Sequence, residues 1–285
     1  MLHFGTEEQK ERFFPGLASG KSLGAYAITE PDHGSDALSI ETTCRKEGDE
    51  WILNGTKAWI TNGSRAGTII TFATMDPALR SKGINAFVVD PSMPGFSVGK
   101  KELKLGIRGS DTVQLVFDEM RVPAANLLGE EGQGFKIAMH TLDGGRVGIA
   151  TQAVGIAQAC LDAAVEFAEG HEMFGRRLAD NQLVSHKIAD MATRIEASRL
   201  LTLRAAMLKD AGAPHSRQAS MAKLSASEIA NDAARMALEI HGGAGIGRQS
   251  PIERLFRDAK ICEIYEGTSQ IQRLVIARHV RPERS

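Results

Sequence analysis

Glu266 sits in the run 261–273, ICEIYEGTSQIQR, between the aromatic Tyr265 and Gly267, with the helix-capping residues Thr268 and Ser269 behind it. A carboxylate held against an aromatic ring loses water, so its pKa rises toward neutrality, where a general base works best. Gly267 leaves backbone room for a ligand to come close. An acidic residue at an ordinary helix start gives the same local pattern, so the run acquires meaning from its companions.

The stretch 26–36, YAITEPDHGSD, follows a probable strand and offers Thr29, a turn at Pro31, then Gly34 and Ser35. Freed backbone N–H groups and small hydroxyls in such a loop suit a planar heterocycle or a phosphate; a polar hairpin loop is the alternative. In 54–62, NGTKAWITN, Trp59 and Thr61 alternate at period two and leave the same face of a strand. They could supply a stacking wall and a hydrogen bond to a ring ligand, or be a core Trp and a surface Thr. HGGAGIG at 241–247 follows a helical stripe ending at Ile240, whereas a dinucleotide-binding glycine loop follows a strand. These glycines are read as ending that helix.

Asp143-Gly144-Gly145-Arg146 reads as a break between two helical segments. An Arg at a helix start is electrostatically misplaced, so it either binds a ligand phosphate or adenine or pairs with a carboxylate such as Asp143. In 251–260, Glu253, Arg254, Arg257 and Asp258 stand at spacings that allow local ion pairs. His186 and His215 read as helix-surface residues, and the histidines show no metal-ligand spacing.

The elements that must position these residues change character along the chain. Residues 1–22 are polar and helix-like. From 23 to 130, β-rich runs at 68–74, 86–89 and 113–117 are separated by Asn54-Gly55, Asn62-Gly63, Pro91 and Pro94-Gly95. Strands and turns without intervening helices predict an antiparallel barrel or sandwich. From 131 to 285 the period is helical: Val184, Ile188, Met191 and Ile195, then Ile229, Ala233, Met236 and Ile240, stripe the faces of long helices in a bundle. The expected fold class is α+β, mainly α, with a β middle domain followed by a C-terminal four-helix bundle.

A length of 285 residues and a formal net charge of -1 predict about two domains and no nucleic-acid partner. No apolar run of spanning length is evident, so membrane insertion is not expected. Cys44, Cys160 and Cys262 are far apart and form no CxxC pair, which predicts a reducing compartment and no zinc or disulfide framework. The expected location is cytoplasmic, or the mitochondrial matrix if the N-terminus is incomplete.

In order, YAITEPDHGSD, NGTKAWITN, KLGIRGSDT, FGRRLADNQ, EIHGGAGIG, RDAK and IYEGTSQIQR resemble the acyl-CoA dehydrogenases from about residue 4 to the C-terminus. KLGIRGSDT, LLGEEGQGFKIAMHTLD and RAAMLKD look closest to the short-chain, butyryl-CoA type. Residues 1–22 resemble only the last helix of the family's N-terminal helical domain. The resemblance implies FAD-dependent oxidation of a short-chain acyl-CoA to the trans-2-enoyl-CoA. Glu266 would remove the α-proton while the β-hydrogen leaves as hydride to flavin N5. The Glu266 backbone N–H and a flavin ribityl hydroxyl would stabilise the enolate.

By the same resemblance, Tyr26, Ala27, Ile28, Thr29, Gly34 and Ser35 line the flavin, Trp59 and Ile60 flank it, and Thr61 faces N5. Thr268 and Gln270 reach the dinucleotide portion. Phe174, Asn181, Gln182, Gly242 and Gly243 contact it across a subunit interface, which implies a homo-oligomer built as a dimer of dimers. Ser35, Asp143, Arg146 and Gly267 match substrate positions, no metal is implied, and the electron acceptor is an electron-transferring flavoprotein. Some relatives take their base from the residue before the Arg146 position, which is Gly145 here. Two positions depart from the family: His171 stands for an Arg on the flavin pyrophosphate and Glu239 for a Gln. The same resemblance also allows a truncated, weakly active or inactive homologue that binds CoA or oligomerises as a scaffold.

Overall fold

The computed structural model describes residues 1–281. The chain divides into two compact units, Met1–Lys104 with Arg108–Thr141, and Leu105–Ile107 with the chain from Leu142 onward.

The first unit opens with α1 (Glu7–Ala18), whose N-cap Thr6 and Gln9 form a reciprocal capping box. The Gln9 side chain also donates to the carbonyls of Ala125 and Leu127, each at 2.8 Å, and so ties α1 to the rest of the unit. The sheet comprises β1 (Leu23–Ala27), β2 (Thr43–Glu47), β3 (Glu50–Thr61), β4 (Ala66–Thr74), β5 (Ile84–Val89), β6 (Phe96–Lys101) and β7 (Thr112–Pro123). Its path is β1-β4-β2-β3-β7-β6, with β5 also paired to β4. Pairing is mostly antiparallel, but β1 joins β4 in parallel, and so does β2 at Thr43 and Thr74. The chain leaves β1 through the irregular segment 28–42, long enough to return without a hairpin.

Asn54-Gly55, expected as a separator, lies inside β3 at a register shift between Leu53 and Gly55. Gly55 has φ 149°, and a Cβ there would come within 2.7 Å of the Thr42 Cα. Glycine is required for close approach of a neighbouring backbone, not for a turn. Asn62-Gly63 does turn β3 into β4, with Asn62 at φ 62°. All residues of β5 are buried. Phe87 and Val89 face one cluster with Trp51 and Leu53, and Ala86 and Val88 face another with Phe13 and Phe72.

The helix α2 (Gly134–Gly170) begins in the first unit and continues in the second. It is long and apolar enough by composition to cross a bilayer, contrary to the sequence expectation. Ala150, Ala153, Ala157, Cys160 and Ala164 on it are nonetheless buried in the core of the second unit, so the apolar run serves packing. A ribbon of β8 (Glu172–Met173) and β9 (Arg176–Arg177) follows. Its two loop residues, Phe174 and Gly175, have φ 53° and 77°, the double left-handed signature of a tight hairpin. Then come α3 (Gln182–Asp210), α4 (Ser216–His241), the single turn α5 (Gly243–Ile246), α6 (Pro251–Ala259) and α7 (Ser269–Val280).

Val184, Met191 and Ile195 of α3 and Ile229, Ala233, Met236 and Ile240 of α4 are buried, as the stripes predict. Small residues, Ala219, Ala222, Ala226, Ala230, Ala234 and Ala237, share the buried face of α4 with Ser220, Lys223 and Ser227 and let neighbouring helices approach closely. Gly242, at φ 55°, ends α4, as expected of a glycine C-cap. His215 is not a surface residue: it is half-buried beside the start of α4, with Nδ1 on the Ala213 carbonyl at 3.0 Å.

Candidate functional site

In the second unit, α6 runs into a 3-10 turn at Lys260–Glu263, and the chain reaches α7 through Tyr265, Glu266 and Gly267. Thr268 caps α7 by accepting from the Ile271 N–H at 3.3 Å. Glu266 and Gly267 both have left-handed backbones, φ 54° and 88°. For a non-glycine residue this conformation costs about 1–3 kcal/mol and persists only where surroundings impose it. Here Gln272 Nε2 donates to the Glu266 carbonyl at 3.1 Å and the Gly267 carbonyl at 2.8 Å. Lys223 Nζ donates to the same Gly267 carbonyl at 2.7 Å. A Cβ on Gly267 would lie 2.7 Å from Gln272 Nε2, so glycine serves both the φ angle and the approach of this donor.

The Glu266 carboxylate lies over Gly145 of α2: a Cβ there would overlap Oε2 and stand 2.9 Å from Cδ. It makes no hydrogen bond or ion pair among the described residues, and neither does its backbone N–H. Burial raises its pKa above the usual carboxylate range, offset in part by the charges of Arg146 and Lys223. The hydroxyl of the aromatic neighbour, Tyr265, donates to Gln152 Oε1 at 2.8 Å.

Asp143 to Arg146 is not a break. The helix α2 passes through it without interruption, because the two glycines keep helical geometry and the Arg146 charge is met one turn earlier. Arg146 Nη1 donates to Asp143 Oδ1 at 2.6 Å, and the Ser216 hydroxyl donates to the same oxygen at 2.9 Å. The Arg146 side chain is buried, and its Nε has no partner among the described residues.

In the first unit, the loops 26–36 and 54–62 meet. The Ala58 N–H donates to the Thr29 carbonyl at 2.8 Å, beside a bulge between Lys57 and Ile60. That bulge holds Trp59 at φ 61° and leaves its indole 55% exposed, with Thr61 exposed and Ile60 buried between them. Gly34 and Ser35 are exposed and Thr29 half-buried, while Ala27 is wholly buried. The Tyr26 ring packs on Phe72 with centroids 5.3 Å apart, and its hydroxyl reaches the Ala138 carbonyl at 3.4 Å. A bare indole on a strained bulge, with an exposed hydroxyl two residues on, fits an aromatic heterocycle rather than the core.

Sequence reasoning missed what builds this arrangement. Glu30 and Lys57 are buried and paired at 2.7 Å. The Glu30 carboxylate also accepts from the N–H groups of Glu41 and Thr42 at 2.5 and 3.0 Å. Lys57 holds Glu30 below its ordinary range, whereas burial pushes Lys57 down to about 8. Lys223 and Gln272 were missed as well. For Lys223 a signal existed: a lysine on the alanine face of an otherwise buried stripe in α4.

The remaining positions are placed as follows. His171 is exposed, stacks on Phe167 at 3.7 Å, and contacts the Phe167 carbonyl through Nδ1. Phe174 is 92% exposed at the ribbon tip. Asn181 caps α3, Gln182 follows it, and Gly242 and Gly243 are exposed with open space around them. Gln270 is exposed on α7. The Glu239 charge is met by Lys187 and Arg235, each at 2.6 Å. Glu253 and Arg257 form the expected local pair, but Asp258 instead accepts from the Ile107 N–H at 2.6 Å.

Residues 132–281 match the acyl-CoA dehydrogenase C-terminal domain, and residues 25–120 match the acyl-CoA dehydrogenase middle domain. The chain is 54% identical over 280 residues to the human mitochondrial short-chain specific acyl-CoA dehydrogenase, covering 98% of this chain and 68% of that protein. Its fold superposes on butyryl-CoA dehydrogenase from Megasphaera elsdenii with a TM-score of 0.96 at 47% identity, covering 98% of this chain and 73% of the other. A structure described under the electron transferring flavoprotein of Acidaminococcus fermentans gives a TM-score of 0.97 at 48% identity, covering 99% and 74%. The chain belongs to the acyl-CoA dehydrogenases, a family of FAD-dependent oxidoreductases.

Proposed function

We propose that the protein oxidises a short-chain acyl-CoA to the trans-2-enoyl-CoA, with Glu266 as the base. The observation that carries this reading is the Glu266 carboxylate: unpartnered among the described residues, raised in pKa, and imposed on a left-handed backbone above Gly145, where a side chain would collide with it. A group with no structural bond to make, held at a conformational cost, is placed for a ligand.

The α-proton of the thioester passes to a Glu266 carboxylate oxygen. Its carbonyl oxygen, which gains charge as that proton leaves, is met by the free Glu266 N–H. The buried guanidinium of Arg146, oriented by Asp143, adds positive charge to the same surroundings. FAD, when bound, supplies the two-electron oxidant that takes the β-hydrogen as hydride. Trp59, Thr61, Thr29, Gly34 and Ser35 would hold its ring system, and Thr268 and Gln270 its dinucleotide portion. The names of the relatives support a short acyl chain and an electron-transferring flavoprotein as acceptor. The exposed Phe174, Gln182, Gly242 and Gly243, with Asn181 half-buried at the start of α3, support residues shared between subunits of a homo-oligomer.

Anaerobic titration of the FAD-loaded protein with butyryl-CoA tests the activity. Bleaching of the flavin absorbance is expected; a flavin spectrum unmoved by saturating butyryl-CoA contradicts it.

A further inference from the structure

Lys223 is a costly residue where it stands. It is fully buried, it makes no ion pair among the described residues, and its one hydrogen bond goes to the Gly267 carbonyl. Burial without a partner carboxylate pushes it down to about 8. An apolar side chain of similar volume would pack in its place at no such cost. The contrast with the other buried lysine, Lys57, is direct, since that one sits against Glu30 at 2.7 Å.

What Lys223 does touch is the backbone immediately after the base. Gln272, also fully buried, donates to the carbonyls of the two successive peptides that flank Gly267, while its own Oε1 has no partner among the described residues. Two side chains, from α4 and α7, thus spend their polar groups on two consecutive left-handed residues.

Resting on the reading of Glu266 as the base, we infer that Lys223 and Gln272 are positioning residues: together they clamp the Glu266–Gly267 backbone in the conformation that aims the Glu266 carboxylate over Gly145. The clamp also sets the charge around the base. The groups acting on Glu266 are Arg146 from α2 and Lys223 from α4, and those around Lys223 are Cys262, Glu266, Glu263 and Arg146. Removing the Lys223 ammonium removes a charge that holds the Glu266 pKa down, so that pKa climbs further. The base is then deprotonated only at higher pH.

The test follows exchange of the butyryl-CoA α-hydrogen in deuterated buffer, with the FAD-loaded protein and Glu266→Gln as the control. Lys223→Met is expected to keep its flavin and its affinity for butyryl-CoA. It should lose exchange by on the order of a hundredfold and move the acidic limb of the rate profile to higher pH. Gln272→Leu, which removes bonds but no charge, should lose a similar factor with the limb in place. A Lys223→Met protein with wild-type exchange and an unmoved limb overturns the inference. Should that variant not fold, Gln272→Leu decides, and a wild-type rate in it overturns the clamp. Exchange persisting in Glu266→Gln overturns the base and the clamp together, whereas loss in that control beside an unaffected Lys223→Met overturns the clamp alone.

Discussion

At the scale of single residues, the site is defined by what is absent beside Glu266. Gly145 lies within an unbroken helix, where alanine is favoured over glycine by roughly 0.5–1 kcal/mol. Its lack of a side chain is therefore a local sacrifice, and the carboxylate above it explains why. Gly145→Ala should keep or raise the melting temperature while exchange falls by on the order of a hundredfold, because the base is displaced. A variant both stable and fully active would show that the carboxylate does not need that space. The raised Glu266 pKa has a consequence for stability too. The folded protein keeps a proton that the unfolded chain has given up, so stability falls as pH rises from the ordinary carboxylate value through the raised one. Melting temperatures measured across that window should decline in the wild-type protein relative to Glu266→Gln; parallel curves would contradict the shift.

At the scale of elements, the two loops of the first unit depend on one buried pair. Glu30 gathers the N–H groups of Glu41 and Thr42 and the Lys57 ammonium, which fixes the irregular segment 28–42 against the bulged end of β3. Lys57→Met leaves the Glu30 carboxylate buried and unpaired, a loss of about 3–5 kcal/mol. Both tryptophans of the chain, Trp51 and Trp59, lie in β3, so their fluorescence reports this unit. The unfolding transition seen by fluorescence should move to lower denaturant; an unmoved midpoint would show that the pair does not hold the segment. None of this was legible in the sequence, where Glu30 and Lys57 stand 27 positions apart and each looks like a surface charge. Period-two alternation did place Trp59 and Thr61 on one exposed face, because the strand geometry that sets it is local. The bulge that lifts Trp59 is not local, since it depends on register with β7.

At the scale of the whole molecule, helical periodicity located the core of α3 and α4 because burial and a 3.6-residue repeat are two aspects of one geometry. Turn chemistry was less reliable. Asn54-Gly55 and Gly144-Gly145 both read as breaks, and both turned out to be glycines inside continuous elements, demanded by a neighbour remote in sequence. The alanine face of α4 was legible as apolar, but not as the close packing it permits. Ala233→Leu should overpack it and cost about 1–3 kcal/mol, read as an earlier loss of the far-UV helical signal. A variant as stable as the wild type would show slack in that core.

The central claim is that Glu266 removes the α-proton. The direct measurement is deuterium incorporation into butyryl-CoA by FAD-loaded Glu266→Gln beside the wild-type protein in deuterated buffer. Exchange in the wild type and its loss in the variant, with flavin retained in both, is the predicted result. Near-normal exchange in Glu266→Gln would contradict it.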